Sequence, residues 1–332
     1  MDRRVSTEQR LGFADLEVEL ADTELSSLDS MIDWGCIAEL LSSVRGDYDP
    51  LSLFKMLLLQ IWHDLSDESI ARALRRDWVF MRFGGFTLAG SKPDSSTLCR
   101  FRKRLVNAAQ LETLLRQINH CLSARGLKIA NGKYFSSDAT LIKSARRPRR
   151  VIDSRQGAVE VSYSDDHEAT WIQKGDQRVY GYSASVTTDE AGLIESVTTF
   201  PANRSEMTRL KEVIDQLNPI PGQVLLYDKG ADSDDNRAIL KSQGIKDGIM
   251  RKKPKGKPMT RWNRLRNRLI RQRRFVVERT FGTLKRTYGL HRAGYVGLLQ
   301  TQAEVLMKSI AYNLKRGINN HFNSQCTQCQ CV

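Results

Sequence analysis

Through most of the first 130 residues, apolar side chains recur three and four positions apart. After Asp49-Pro50 they fall at Leu51, Phe54, Leu57, Leu58, Ile61 and Trp62, the spacing of one helical face. Ser66 opens a second segment of this kind, with Asp67 and Glu68 in its first turn and Ile70, Ala73 and Leu74 on its inner face. A third predicted helix starts at Asp94 or Ser95 and carries Arg100, Arg102, Lys103 and Arg104; a fourth covers about 108–125 and stops at Gly126. Near residue 132 the period changes. Residues 134–142, 179–186 and 193–200 are short runs rich in β-branched and aromatic side chains. Asp189-Glu190-Ala191-Gly192 joins the last two as a hairpin turn.

Helical spacing returns at 205–217 and ends at Pro219 to Gly222. Residues 224–227 form an all-apolar strand followed by Asp228-Lys229-Gly230. A helix over 234–243, a strand over 245–250, a basic proline-containing loop over 251–260 and a long helix over 261–288 complete the pattern. This order predicts an α/β domain around one mixed sheet flanked by helices, behind an all-α N-terminal domain. The boundaries are 1–130 for the helical domain, 131–316 for the α/β domain and 317–332 for a disordered tail. The polar stretch 143–178 has no clear period and reads as a long functional or disordered loop.

Charge adds a partner. In 332 residues, 52 Lys and Arg face 38 Asp and Glu, a net +14, which implies a polyanion, most often nucleic acid. Between Arg251 and Arg292 there are sixteen basic residues and a single acid, Glu278. No apolar run approaches the ~20 residues of a membrane span, and the first twenty residues show no secretory pattern. A cytoplasmic, nucleoid-associated protein without a membrane partner is expected. The six cysteines fit no disulfide framework, and Cys326, Cys329 and Cys331 crowd the tail.

Three acids stand out. Asp138 lies within or at the end of the first strand, Asp228 follows the strand 224–227, and Glu278 sits mid-way along the last long helix. Singly, each has a plain structural reading as a turn, a bend or an ion pair. At ~100° per residue, however, Arg271, Arg274, Glu278 and Lys285 share one helical face, with Val276, Phe281 and Leu284 assigned to the docking side. One carboxylate among bases suits a divalent ion and a phosphate chain held together.

Several motifs occur in order: Asp138-Ala139-Thr140; Asp166-x-x-Ala169-x-Trp171-x-x-Lys174; Tyr180-Gly181-Tyr182; Pro201-Ala202-Asn203; Asp228-Lys229-Gly230; and Asp247-Gly248-Ile249-Met250. The most specific is Arg274, Glu278 and Lys285 at gaps of four and seven. Over roughly residues 45–315 the chain resembles the DDE transposases of bacterial insertion sequences, nearest the IS-five family. Arg271 stands where the wider pattern has tyrosine, and Ala231 where a tyrosine commonly follows Asp-Lys-Gly.

The resemblance implies a ribonuclease-H-like catalytic domain in which Asp138, Asp228 and Glu278 hold two Mg2+ or Mn2+ ions. It implies a DNA transposase that nicks element ends by hydrolysis and joins the 3′-OH to target DNA, with no covalent protein–DNA intermediate. Double-stranded DNA, as terminal inverted repeats and target, would be its partner, and it would act as a homo-oligomer. The helix over 94–105, with Arg100, Arg102, Lys103 and Arg104, is the candidate recognition helix. Arg271, Arg274 and Lys285 would hold the backbone, and Trp171 would stack on an unpaired base near the nick. Two alternatives stay open: a related nuclease without strand transfer, and an inactivated transposase that only binds DNA. The 50 residues from Asp228 to Glu278 leave no room for an inserted domain, so a compact catalytic domain is expected.

Overall fold

The structure, a computed structural model, describes residues 24–329 except 45, 108, 129–131, 148–151, 154–158 and 161–164. For 152–153, 159–160 and 320–329 it describes the backbone alone. Residues 1–23 of the predicted N-terminal domain, and Cys331, lie outside the described residues.

Short-range chemistry sets the N-terminal helices: α1 Glu24–Met31, α2 Trp34–Leu41, α3 Pro50–Trp62, α4 Asp67–Ala73, α5 Trp78–Gly84, α6 Ser95–Asn107 and α7 Leu111–Ala124. Asp33, Asp49, Ser66 and Asp77 each accept backbone N–H groups from the turn they open, and Asp94 does the same for Thr97 at 2.7 Å. Helix α3 is buried from Leu53 to Leu59, with Lys55 answered by Asp29 at 2.6 Å.

The sheet is built from β1 Tyr134–Lys143, β4 Thr170–Lys174, β5 Gln177–Thr188, β6 Ile194–Pro201, β7 Val224–Tyr227 and β8 Lys246–Ile249; β2 Ile152–Asp153 and β3 Val159–Glu160 form a small separate pair. Across the sheet the order is β6, β5, β1, β7, β8, with β4 pairing the opening residues of β5. Pairs β6–β5 and β5–β1 are antiparallel, whereas β1–β7 and β7–β8 are parallel. Three antiparallel strands continued by two parallel ones is the ribonuclease-H-like arrangement that was expected. The parallel steps require crossovers, supplied by α8 Glu206–Leu217 and α9 Asp234–Ser242.

Helices α8 and α9 cover one face, over Phe135, Leu210, Leu225, Tyr227, Leu240 and Ile249. On the other face lie α10 Arg261–Arg286 and α11 Leu298–Cys329. There Ile142, Ala184, Val186, Val277, Leu284 and Ile310 join the same core as the N-terminal helices. The change of period near residue 131 is therefore not a gap in packing. Trp62 Nε1 donates to Ala311 O at 2.9 Å, and Asn119 and Asn313 bond each other while both engage Ile194 of β6.

Two expectations change. The stretch 317–332 is not a disordered tail where it is described, since α11 stays helical to Cys329. Ile318 is buried and Gly317 lies against Leu122, which anchors the start of that stretch. The loop 143–178 also contains a strand, β4, held against β5. No helix among the described residues is long and apolar enough to cross a membrane.

Candidate active site

Strand register brings the first two acids together. Parallel pairing of β1 with β7 runs from Tyr134↔Val224 to Ser136↔Leu226. Carried two residues further, the same register sets Asp138 beside Asp228, just past the end of β7. Asp138 is still within β1, paired to Val186 on its other side, and its Oδ1 accepts the Ala139 N–H at 2.9 Å.

The third element is α10. Arg274 is buried, with Nη2 3.1 Å from Asp138 Oδ1 and Nη1 3.3 Å from Asp228 Oδ1. One guanidinium thus spans two carboxylates from non-consecutive strands. This corrects the phasing read from sequence: Arg274 is buried together with Phe281 and Leu284, which were assigned to the opposite side, and Val276 of that side is only half-buried. A buried arginine is tolerable because both of its charged partners are in place. Its bonds go to the aspartates, so it positions them and is not a contact to the DNA backbone. Burial pushes the Asp138 carboxyl up, with Arg274 and the Ala139 N–H pulling the other way and Asp228 adding to the rise.

Glu278 lies four residues beyond Arg274 on α10 and is exposed. Among the described residues, no three His, Cys, Asp or Glu side chains are grouped closely enough to hold a metal ion. The structure therefore joins Asp138 and Asp228 through Arg274, but does not bring Glu278 to them. Lys285 follows on the same helix, its ammonium pushed down by burial and by Lys174, against a pull upward from Asp138. Lys174, at the end of β4, was part of a sequence motif but was not assigned to the site. Glu206 was missed altogether. It opens α8, and burial together with the charges of Asp138 and Asp228 pushes its carboxyl up. The motif Pro201-Ala202-Asn203 stops three residues short of it.

The remaining basic residues divide. On α6, Leu98, Phe101 and Leu105 turn inward, leaving Arg100, Lys103 and Arg104 exposed. Arg102 does not join them: it bonds Asp67 at 2.7 Å and Gln60 at 3.1 Å, and lies over the Tyr295 ring. It ties α6 to α4 and cannot also grip DNA in this position. Arg271 is exposed. Trp171 is 54% exposed on β4, not in a loop, with its ring 5.3 Å from that of Tyr180. Asp166, left without a role by the sequence, is buried and accepts from Ser144 Oγ, Tyr182 Oη and the Gly297 N–H.

Residues 135–314 match the family described as the transposase DDE domain, and residues 14–104 match a second family described as a transposase domain. The chain belongs to the DDE transposases, DNA phosphoryl-transfer enzymes whose family works with divalent metal ions. It is 35% identical over 224 residues to the transposase for insertion sequence element IS1106 of Neisseria meningitidis serogroup B, covering 66% of this chain and 77% of that one. Among solved structures, the piggyBac transposase synaptic complex with hairpin DNA is similar at 10% identity and a TM-score of 0.44, over 93% of this chain and 75% of that one. The Mos1 transposase paired-end complex with its left transposon end is similar at 11% identity and a TM-score of 0.22, over 71% and 95%.

Proposed function

We propose that this transposase binds the terminal inverted repeats of its element, nicks their ends by hydrolysis and joins the freed 3′-OH to target DNA. The observation that carries the reading is the meeting of Asp138 and Asp228 on Arg274, from two parallel strands and the helix that also bears Glu278. Region 131–316 would carry the chemistry, and region 1–130 the recognition of DNA ends, through Arg100, Lys103 and Arg104 on the outer face of α6. Copies of the chain would act together on paired ends.

Asp138, Asp228 and Glu278 would hold Mg2+ or Mn2+, as two ions. The donor chemistry fits at the two aspartates, whose carboxylate oxygens are the hard ligands such cations prefer and which keep part of their surface open to solvent; Glu278, exposed on α10 and not grouped with them here, would have to come to them to complete the set. Bound divalent ions supply charge stabilisation at the reacting phosphate and a more acidic attacking water. The protein's own part is positioning. Arg274 holds the two aspartates at a fixed separation, and Lys285 and Arg271 offer positive charge to the DNA backbone along the same helix. Trp171, backed by Tyr180, presents an aromatic face for an unpaired base.

The test is a duplex carrying the element's own ends, incubated with the full chain. Nicking with Mg2+ and none with EDTA is the expected result, whereas equal nicking in EDTA would remove the metal-dependent reading. A second expectation concerns Lys285→Ala. Binding should weaken on all sequences, and the slope of log affinity against log salt should fall by about 0.9, one phosphate contact. A changed base preference with an unchanged slope would mean that Lys285 reads bases.

A further inference from the structure

The first half of α10 carries an apolar stripe that nothing among the described residues covers. Trp262, Leu265 and Leu269 are spaced three and four apart, which sets them on one helical face, and they are 73%, 46% and 53% exposed. Single exposed apolar residues are ordinary, whereas a contiguous set marks a contact surface. Further along the helix the same side is covered, since Val276 lies against Gly192. Arg261, Arg264 and Arg268 run along one edge of the stripe, exposed and paired with no carboxylate among the described residues.

Such a face calls for an apolar partner rimmed by acids. A second α10 does not qualify, because two basic edges would repel each other. DNA answers the arginines but not the leucines, which bury no apolar area against a hydrated phosphate chain. The complement occurs in this chain. Residues 11–44 hold eight acids and no Lys or Arg, whereas residues 251–277 hold no acid at all. Within the acidic stretch, Phe13, Leu16 and Leu20 repeat the spacing of Trp262, Leu265 and Leu269, with Glu17 and Glu19 beside them. These five lie outside the described residues, so the match is one of sequence pattern and charge.

Within a single chain the segment is short for this stripe. The described chain starts at Glu24, which pairs with Lys315 at 3.7 Å; Lys315 also lies over the Trp62 ring, on the side of α11 turned to the N-terminal helices. Helix α10 meets α11 at Thr280, through the Tyr312 hydroxyl, and Leu269 lies about 16 Å before Thr280 along the helix axis. The four steps from Leu20 to Glu24 span at most ~14 Å.

We propose that the acidic segment 13–20 of a second copy docks on the stripe formed by Trp262, Leu265 and Leu269, so that two copies exchange segments about a two-fold axis. The inference rests on the reading above that copies of the chain act together, and it gives that reading an interface that needs neither metal nor DNA.

The experiment is sedimentation velocity of the full chain without DNA, over a range of concentrations at low salt. The parent should form dimers. The double variants Leu265→Ser with Leu269→Ser, and Leu16→Ser with Leu20→Ser, should each raise the dimer dissociation constant by about tenfold or more. The α10 variant should melt with the parent, because both of its leucines are exposed. An equimolar mixture of the two variants, one of them fluorescently labelled, should associate more tightly than either alone, since one of its two junctions is intact. Docking within one chain would give no such gain. If only the α10 variant loses the dimer, or if the mixture gains nothing, the proposal is overturned. It is overturned equally if the α10 variant keeps the dimer and loses affinity for DNA, which would make the stripe a DNA contact. A parent that pairs only on end-containing duplexes, with both variants pairing as well, would overturn the proposal and leave the joint action of copies standing. A parent that never pairs, with or without ends, would remove both.

Discussion

Replacing Asp228 by alanine is expected to lower metal-dependent nicking by at least about a thousandfold, the scale of removing a group that acts at the reacting centre. The fold should hardly notice. Asp228 sits beyond the last paired residue of β7, so no ladder hydrogen bond depends on its side chain. Arg274 would lose one partner but keep Asp138 at 3.1 Å, so its buried charge remains answered and the cost should stay near ~1 kcal/mol. DNA binding should be unchanged or slightly tighter, because a negative charge is removed from beside the phosphate path. Gel-based nicking and fluorescence anisotropy on the same end-containing duplex separate the two effects. Persistent nicking would remove Asp228 from the chemistry, and lost binding together with a lost melting transition would mean that it serves the fold.

Local rules made much of this fold legible. Four apolar residues followed by Asp-Lys-Gly marked β7 and its turn, and Ser66 and Ser205 marked helix starts that the structure keeps. These signals lie within one turn of the residues they govern. Helix α11 was not legible because residues 301–318 are buried on nearly every side, which erases the amphipathic period. Arg274 was misread for a different reason. Its seven-residue separation from Phe281 already places both on one face, but an inward arginine makes sense only once two aspartates from distant strands are known to meet it. Glu206 depended on still longer-range information, since only the packing of α8 against the turn after β7 brings it to Asp228. Asp138 and Asp228 could be nominated from sequence, but the parallel register that aligns them could not.

The largest stability effect is expected at Asp166, which touches neither aspartate. Its carboxylate accepts from Ser144 Oγ at the end of β1, from Tyr182 Oη on β5 and from the Gly297 N–H at 3.2 Å, just before α11. Its backbone carbonyl accepts from Tyr180 Oη at 2.6 Å. Three separated parts of the chain are therefore joined at one side chain that is itself 1% exposed. Ser144 and Tyr182 are buried as well, and the tyrosine hydroxyl is held well above its ordinary pKa by burial and by Asp166. It remains a donor in need of an acceptor. In Asp166→Ala these donors lose their acceptor with no route to water, which should cost about 3–5 kcal/mol. Asp166→Asn, which still accepts through one oxygen, should cost roughly half as much. Tyr182→Phe, which removes one donor to a charged acceptor, should cost about 1.5–3 kcal/mol. The Asp166→Ala and Tyr182→Phe effects should not add in the double variant, because each removes the same bond. Urea unfolding of the four variants against the parent measures this, and full additivity would show that the two side chains act on the fold separately.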